Sequence, residues 1–343
     1  MSIPRQTRHL TVVAGTVAVL LLLAGCGDKT GNEDAVKKDG SVDLSQVTLV
    51  VGDQKGGSKA LLQASGQLDG IDYDIDWREF TSGPPLLEAL NSGSIHVGGV
   101  GNTPPLFAAA AKGEFKVVQA ATYGGTGDAI VVPKDSRVKD VKDLKGKKVA
   151  VAVGSSANFN LLAQLNEAGL SYGDVEVQEL QPADALAAFS SGHVDAWAIW
   201  EPFTSQAELD SGAKVIADGH TLANGFVFQV ASNAALDEKA TATALEDYLA
   251  RIAKAQVWSK THQEEWAKVW AEETGLSEEI TLAAVKKREI ELVPVDDAVV
   301  DSEQKMADTF TENDLLPGEI DVASFFTDTY NEATTGPDVE AAK

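Results

Sequence analysis

Short apolar runs alternate with amphipathic segments along most of this chain, and this rhythm limits the available folds more than any other feature. From Val47 onward, runs able to form buried strands are followed by segments with helical periodicity, and the series starts again at Lys148. Such alternation predicts βα units and largely parallel sheets. Two series predict two α/β lobes. After one more strand at Phe226–Ala231, the rest of the chain has mostly helical patterns, and its tryptophans are predicted core residues.

The N-terminal 25 residues have the composition of an export signal. Arg5 and Arg8 precede the uncharged and mainly apolar run Leu10–Ala24, which is shorter than the roughly 20 residues of a membrane-spanning helix. The small residues before Cys26 resemble a bacterial lipobox, in which the cysteine receives a lipid. We therefore predict a signal peptide over residues 1–25 and a lipid anchor on Cys26, at the extracytoplasmic face of the cell membrane. The alternative is an ordinary cysteine near a conventional cleavage site.

Two segments have the composition of disordered chain. Residues 26–45 contain Gly, Asp, Lys, Asn and Ser and few large apolar side chains, which is typical of a flexible tether. Ordered structure is expected from residue 46 onward. The Ala- and Glu-rich tail after about residue 332 is also predicted to be disordered.

The charge and cysteine content argue against several functions. The chain has 52 acidic and 28 basic residues, a formal net charge of −24, whereas nucleic-acid binding depends on clustered Lys and Arg. One cysteine permits no internal disulfide. His96, His193, His220 and His262 are far in sequence from one another and from a second strong metal ligand. We predict a monomer with no nucleic-acid partner, no metal and no cofactor.

Four strand-to-helix turns carry small polar residues directly before a helix. They are Gln54–Ser58, Thr81–Pro85, Gly101–Pro105 and Gly154–Asn158. In doubly wound sheets such turns gather at the carboxyl edge, where ligands bind. Backbone N–H groups and helix dipoles at that edge favour an anion, but the same residues are also ordinary helix caps. An oxyanion site and structural capping both remain open.

The motifs of common enzyme classes are incomplete. Val153–Ala157 lacks the glycines of a nucleophile elbow. Gly99–Pro104 has proline where a dinucleotide fingerprint needs its last glycine, and Gly146–Lys148 lacks the other residues of a phosphate loop. We therefore predict a binding protein and no enzyme activity.

Five separated segments, in order, resemble the solute-binding proteins of ABC importers for aliphatic sulfonates. They are Gly52–Ser58, Phe80–Leu90, Val100–Phe107, Asp143–Ala150 and Trp197–Phe203. The resemblance extends from about Val47 to Ala207 and is weaker in the helical C-terminal third. It implies the type II periplasmic-binding fold, an α/β architecture in which two doubly wound lobes surround a ligand cleft.

The resemblance also implies lobe boundaries, ligand contacts and partners. Lobe one would contain residues 46–127 and 227–343, and lobe two residues 128–226. The implied ligand-binding residues are Gln54, Lys55, Ser82, Gly83, Asn102, Thr103, Ser155, Ser156, Asn158 and Trp200. The captured sulfonate would be delivered to an ABC permease and its ATPase for sulfur acquisition.

Three positions depart from the family pattern. Asn102 stands where members often have Asp, Asn158 where they have His, and Glu201 where they have Asp. Loss of a carboxylate at Asn102 suits an anionic head group. The change at Asn158 leaves nitrate, taurine or a pyrimidine precursor open as the ligand. An enzyme or a sensor subunit on the same fold is the alternative from a different class.

Overall fold

The computed structural model describes residues 31–340, without the side chains of residues 338 and 340. The predicted signal peptide and Cys26 lie outside the described residues. The first elements are β1 (Thr48–Gln54), α1 (Ser58–Ala64), β2 (Asp74–Phe80), α2 (Gly83–Asn91), β3 (Val97–Gly101), α3 (Thr103–Ala110) and β4 (Phe115–Thr122).

The chain then forms a second series of strands and helices before it returns to the first. The second series is β5 (Asp128–Val132), β6 (Lys148–Val151), α4 (Ser156–Glu167), β7 (Glu176–Glu179), α5 (Pro182–Ser190), β8 (Ala196–Trp200), α6 (Phe203–Ser211) and β9 (Lys214–Asp218). The remaining elements are β10 (Phe226–Ser232), α7 (Asn233–Asp237), α8 (Lys239–Ser259), α9 (Gln263–Thr274), α10 (Glu278–Lys286), β11 (Glu291–Val293), α11 (Asp297–Glu312), α12 (Asn331–Thr335) and α13 (Pro337–Glu340).

The strands form two sheets, one in each lobe. The sheet of lobe one has the order β11-β4-β10-β3-β1-β2, and that of lobe two the order β7-β6-β8-β5-β9. β1 is parallel to β2 and β3, and β6 is parallel to β7 and β8. These parallel strands are the βα units that the alternating sequence pattern predicts.

Three strands are antiparallel exceptions in these largely parallel sheets. β10 is antiparallel to β3 and β4, β11 is antiparallel to β4, and β5 is antiparallel to β8 and β9. β5 and β10 each follow directly after the chain has crossed from one lobe to the other, so each enters its sheet from the cleft side and runs away from the cleft. The carboxyl ends of the parallel strands still face the cleft, where doubly wound sheets bind ligands.

Helices α8, α9 and α10 cover one face of the lobe-one sheet, and α11 packs on the other face. Trp266 and Trp270 of α9 are buried and stacked, with ring centroids 5.7 Å apart, whereas Trp258 is only partly buried. They pack with Tyr248 and Ile252 of α8 in the largest apolar cluster of this lobe. Within residues 31–340, no helix is long and apolar enough to cross a membrane.

The structure differs from the predicted flexible tether over residues 31–45, which form two short 3-10 turns. Asn32 is buried, and its side chain makes two hydrogen bonds to the rest of the lobe. Its Nδ2 donates to Thr241 Oγ1 (2.8 Å), and its Oδ1 accepts from Thr48 N (2.9 Å). A polar side chain therefore fixes this segment to α8 and β1. A scarcity of large apolar residues does not reveal such an attachment.

The structure also differs from the predicted disorder after residue 332. Residues 331–335 and 337–340 are helical, and Val339 is buried against Ala253 and Val257 of α8. One apolar contact with a long helix, together with a hydrogen bond from Thr334 Oγ1 to Tyr330 O (3.0 Å), orders this short segment.

Lobe one contains a buried carboxyl group on α11. Glu303 is fully buried, and its Oε1 accepts a hydrogen bond from Asn224 Nδ2 (2.7 Å). Its Oε2 has no hydrogen-bond partner within residues 31–340. Burial raises the pKa of Glu303 to about 8, although the bond from Asn224 acts in the opposite direction. The folded protein therefore keeps a proton on this side chain at neutral pH.

We predict that Glu303→Gln removes a pH-dependent loss of stability. Between the ordinary pKa of 4.5 and the folded value of about 8, the folded protein holds a proton that the unfolded chain releases. The free energy of unfolding therefore falls as pH rises, by up to about 1.4 kcal/mol per pH unit. Urea unfolding at a series of pH values should show that the free energy of unfolding of the variant rises relative to that of the wild type from about pH 5 to about pH 8.

Glu312→Gln, at the exposed end of the same helix, is the matched control and should follow the wild type. A stability difference between Glu303→Gln and the wild type that stays constant over this pH range would contradict the prediction.

Candidate functional site

A cavity of about 130 Å³ lies between the lobes, at the carboxyl ends of the central strands. Its size approaches the roughly 150 Å³ of a cavity that holds benzene in another protein, so it can hold a small organic molecule. Both lobes and the crossover segment, through Tyr123 and Gly127, contribute to its wall.

The cavity brings together six of the ten site residues predicted from the sequence. These are Gln54, Lys55, Gly83, Ser155, Ser156 and Trp200. The first three come from lobe one and the last three from lobe two. The remaining four, Ser82, Asn102, Thr103 and Asn158, are buried but are not part of the wall.

Each of these four side chains has a protein partner. Ser82 Oγ donates to Gln181 Oε1 (2.8 Å) and thereby joins lobe one to lobe two. Asn102 Nδ2 donates to Asn224 Oδ1 (2.7 Å), and Thr103 Oγ1 donates to Asn102 Oδ1 (3.0 Å).

The amide of Asn158 has a comparable structural role in lobe two. Its Oδ1 accepts from Gly154 N (3.0 Å), and its Nδ2 donates to Tyr172 OH (2.7 Å). One end of the amide is therefore engaged in the β6–α4 turn and the other with Tyr172, between α4 and β7. Asn158 supports this part of lobe two but does not line the cavity.

The β1–α1 turn places a lysine at the cavity and uses its own helix donors internally. Asp53 accepts hydrogen bonds from Ser58 N (2.8 Å) and Lys59 N (3.0 Å), so it satisfies the first N–H groups of α1. Burial raises the pKa of Asp53 to about 6. Lys55 extends across the cleft, with its Nζ 5.7 Å from the ring centroid of Phe203 in lobe two.

A glycine is required in this turn for steric reasons. Gly56 has a φ of +72°, and a Cβ there would lie 1.2 Å from Trp270 Nε1. The turn therefore packs directly against the indole ring of Trp270 in α9. This contact fixes the position of Lys55 relative to the lobe-one core.

The turns before α2 and α3 offer fewer donors than the capping argument assumes. Pro84 and Pro85 follow Gly83 in the first turn of α2, and Pro104 and Pro105 occupy the same place in α3. Proline has no N–H, so each of these helix ends has lost donors that it could direct at an anion. The expectation that all four turns direct backbone N–H donors at an anion therefore fails at these two.

A buried carboxylate organises the wall in lobe two. Asp128 accepts a hydrogen bond from Ser156 Oγ at Oδ1 (2.7 Å) and one from Tyr123 OH at Oδ2 (2.8 Å). Burial raises the pKa of Asp128 to about 6, and these two donors act in the opposite direction. The hydroxyl proton of Ser156 is therefore directed to Asp128. Ser155 Oγ likewise donates to Ala152 O (2.6 Å) and caps α4.

Arg288 is a cation of the cavity that the sequence reasoning missed. It lies between α10 and β11, and its guanidinium carbon is 5.7 Å from the ring centroids of both Tyr123 and Trp270. Aromatic faces attract a guanidinium at this distance. The run Lys286–Arg288 in an otherwise acidic region was the available signal.

The residue before Arg288 joins the lobes. Lys287 Nζ lies 3.0 Å from Glu201 Oε1 and 2.6 Å from Glu208 Oε2, both in lobe two. Burial lowers the pKa of Lys287, but the two carboxylates outweigh this effect and raise it. Gly101 of lobe one also approaches lobe two closely, since a Cβ there would lie 3.2 Å from Ser156 Cβ. The structure therefore has the lobes in contact around the cavity.

Comparison with known proteins places the chain in a family. An Escherichia coli (strain K12) protein, named as an aliphatic sulfonates-binding protein, is 36% identical over 286 residues, which are 82% of this chain and 89% of the relative. The chain belongs to that family. The family model described as NMT1/THI5 like matches residues 67–222.

Solved structures of similar proteins show the same fold. The alkanesulfonate-binding protein SsuA from Xanthomonas axonopodis pv. citri, bound to MOPS, is 35% identical with a TM-score of 0.76, over 82% of this chain and 98% of that one. The predicted two-lobed periplasmic-binding fold is thus confirmed. The desulfurization enzyme DSZB is similar in fold alone, with 16% identity and a TM-score of 0.61 over 84% of this chain and 99% of that one. A choice between binding and catalysis therefore rests on the site.

We predict that Lys287→Gln destabilises the protein by about 1–3 kcal/mol. The change leaves the carboxylate of Glu201, of which only 1% is exposed, without its cationic partner. Removing one member of a fully buried pair costs about 3–5 kcal/mol, and the partial exposure of Lys287 lowers that cost. Urea unfolding measures the change. The exposed neighbour variant Lys286→Gln should stay within about 0.5 kcal/mol of the wild type, and equal effects of the two variants would show that the interlobe pair is unimportant.

Proposed function

We propose that this protein captures an aliphatic sulfonate in the interlobe cavity and delivers it to an ABC permease and its ATPase. The observation that carries the proposal is Arg288 on the cavity wall, supported by Tyr123 and Trp270. A guanidinium is a planar array of donors suited to the oxygens of an anion. Its position in the cavity of a chain with net charge −24 favours an anionic ligand over a cationic one. Membership of the sulfonate-binding family supports the sulfonate in particular.

The composition of the cavity wall also explains how the ligand would hold the two lobes together. The cations Lys55 and Arg288 both come from lobe one, whereas Ser155, Ser156 and Trp200 of lobe two form the opposite part of the wall. An anion held by the lobe-one cations contacts the lobe-two residues only when the lobes are in contact. The ligand therefore binds the closed arrangement better than an open one, which is the condition for a ligand to shift a conformational equilibrium.

The N-terminus supports an extracytoplasmic location. We propose that the chain is cleaved before Cys26 and held at the outer face of the cell membrane by a lipid on that cysteine. Each buried methylene contributes about 0.8 kcal/mol to membrane attachment, so more than one acyl chain is needed for firm anchoring. An anchored binding protein stays close to the permease that it supplies.

We predict that short alkanesulfonates raise the melting temperature of the protein and that the matching carboxylates raise it less. A ligand at 100 times its dissociation constant adds about 2.7 kcal/mol of apparent stability. Arg288→Gln removes a charge-assisted hydrogen bond worth about 1.5–3 kcal/mol, so calorimetric affinity for the sulfonate should fall by roughly 10-fold to 150-fold.

Arg78→Gln, an exposed change on β2, is the matched control and should bind like the wild type. If no sulfonate binds but nitrate or a pyrimidine precursor does, the proposed ligand is wrong. If Arg288→Gln binds sulfonate as tightly as the wild type, the cation that carries the proposal has no role in binding.

We predict that Cys26→Ala abolishes lipid attachment, because the thiol is the acceptor of the acyl group. Cells that produce either form are labelled with a fatty-acid analogue and fractionated. The wild type should carry label in the membrane fraction, and the variant should carry none. Equal labelling of both forms would rule out the anchor at this residue.

A further inference from the structure

The cavity continues behind the cleft into lobe one, under helices α1, α8 and α9. We name this part the inner chamber and define it by Gln119 of β4, Gln229 of β10, Gln256 of α8 and Trp266 of α9, which all line the cavity. All four are at least nine-tenths buried. The anion site proposed above, around Arg288 and Lys55, does not include these residues.

The two strand glutamines stand at the same level of the sheet. Gln119 and Gln229 are directly paired on β4 and β10, and Gly99 of β3 is the partner of Gln229 on the other side. Both strands are otherwise almost entirely apolar in their buried positions. Polar side chains at core positions of a sheet are unfavourable unless they have a function. Two of them side by side, facing one cavity, indicate a polar ligand group.

Hydrogen-bond accounting shows which polar group is missing. Gln119 Nε2 donates to Gln256 Oε1 (3.2 Å), and Gln229 Nε2 donates to Ser58 Oγ (3.3 Å). The carbonyl oxygens Gln119 Oε1 and Gln229 Oε1 are buried and have no partner within residues 31–340. Both oxygens are acceptors only, and a buried acceptor without a donor is unfavourable. The indole Nε1 of Trp266 is a donor that is likewise buried without a partner within residues 31–340. The chamber therefore lacks donors for two carbonyl oxygens and an acceptor for one N–H group, and a hydroxyl group can both donate and accept.

The strand register gives the distance from the cleft. Gly101 and Ala121 pair with Val227 at the level where lobe one meets Ser156, whereas Gly99 and Gln119 pair with Gln229 two residues farther from the cleft. Two residues of a strand span about 7 Å. An anionic head group near the cleft and a donor near the glutamines would thus be joined by a short aliphatic chain.

We propose that the inner chamber receives the distal end of the ligand and that the carbonyl oxygens of Gln119 and Gln229 select organosulfonates with a hydrogen-bond donor at that end, a hydroxyl or an ammonium group. This inference rests on the proposed function, because it takes the head group to be a sulfonate in the cleft. The carboxylate of Asp53, which lines the same cavity and has no ion pair within residues 31–340, adds to the negative potential that a donor prefers.

The test compares three ligands of equal chain length by titration calorimetry on the purified protein. They are propane-1-sulfonate, 3-hydroxypropane-1-sulfonate and 3-aminopropane-1-sulfonate. The wild type should bind the hydroxyl and amino compounds roughly tenfold more tightly than the plain alkane, since one or two added hydrogen bonds supply a change of that order. Gln119→Met and Gln229→Met keep the side-chain length but remove the acceptor. Each should reduce the preference, measured within the same variant as the ratio of its affinity for the hydroxyl or amino compound to its affinity for propane-1-sulfonate.

Gln63→Met, an exposed change on α1, is the control and should keep the full preference. If the wild type binds all three sulfonates equally, this result alone overturns the inference, and the proposed function stands. If the preference survives in both glutamine variants, the chamber does not select the distal group. If none of the three sulfonates binds, the proposed function and this inference fail together.

Discussion

The crossover segment and the cavity wall both depend on the buried carboxylate of Asp128. It stands at the first position of β5, where the chain has just entered lobe two, and it is fully enclosed. Hydrogen bonds from Ser156 and Tyr123 compensate for this burial and tie the start of α4 to the end of the lobe-one sheet. Since the ring of Tyr123 also contacts the guanidinium of Arg288, a single carboxylate helps to position the crossover segment, the lobe-two wall and Arg288.

Two consecutive basic residues make different contacts at the cleft. Lys287 pairs with carboxylates of lobe two, whereas Arg288 turns to the cavity between two aromatic rings. Because they are adjacent in the chain, the contact that joins the lobes also brings the guanidinium to the cavity wall. Interlobe contact and the positive potential of the site are thereby coupled through one peptide bond.

Sequence patterns predicted those elements of the fold that depend on residues close together in the chain. The alternation of apolar and amphipathic segments identified β1 to β3 and β6 to β8, since each βα unit has its own pattern. Direction of the crossover strands β5 and β10 depends on where the chain passes between lobes, which periodicity does not express. The ordered attachment of Asn32 likewise depends on Thr241, a residue distant in the sequence.

The site shows the same division between local and distant information. Six predicted residues reached the cavity because the turns that carry them follow parallel strands. Ser156 and Asn158 have partners outside their own turn, Asp128 and Tyr172, so their hydrogen bonds were not visible in a pattern. The prolines after Gly83 and Thr103 are present in the sequence, so the loss of N–H donors at these two helix ends was predictable from the sequence alone.

The position of β10 in the lobe-one sheet determines the order in which the two lobes can be completed. It lies between β3 and β4, although 103 residues separate its first residue, Phe226, from the last residue of β4, Thr122. Until β10 has been synthesised, β3 and β4 lack the strand that joins them, and each leaves an unpaired edge. Lobe two has all its strands within residues 128–218 and needs nothing from the rest of the chain to pair them. The lobe that begins first along the chain is therefore the lobe that is completed last.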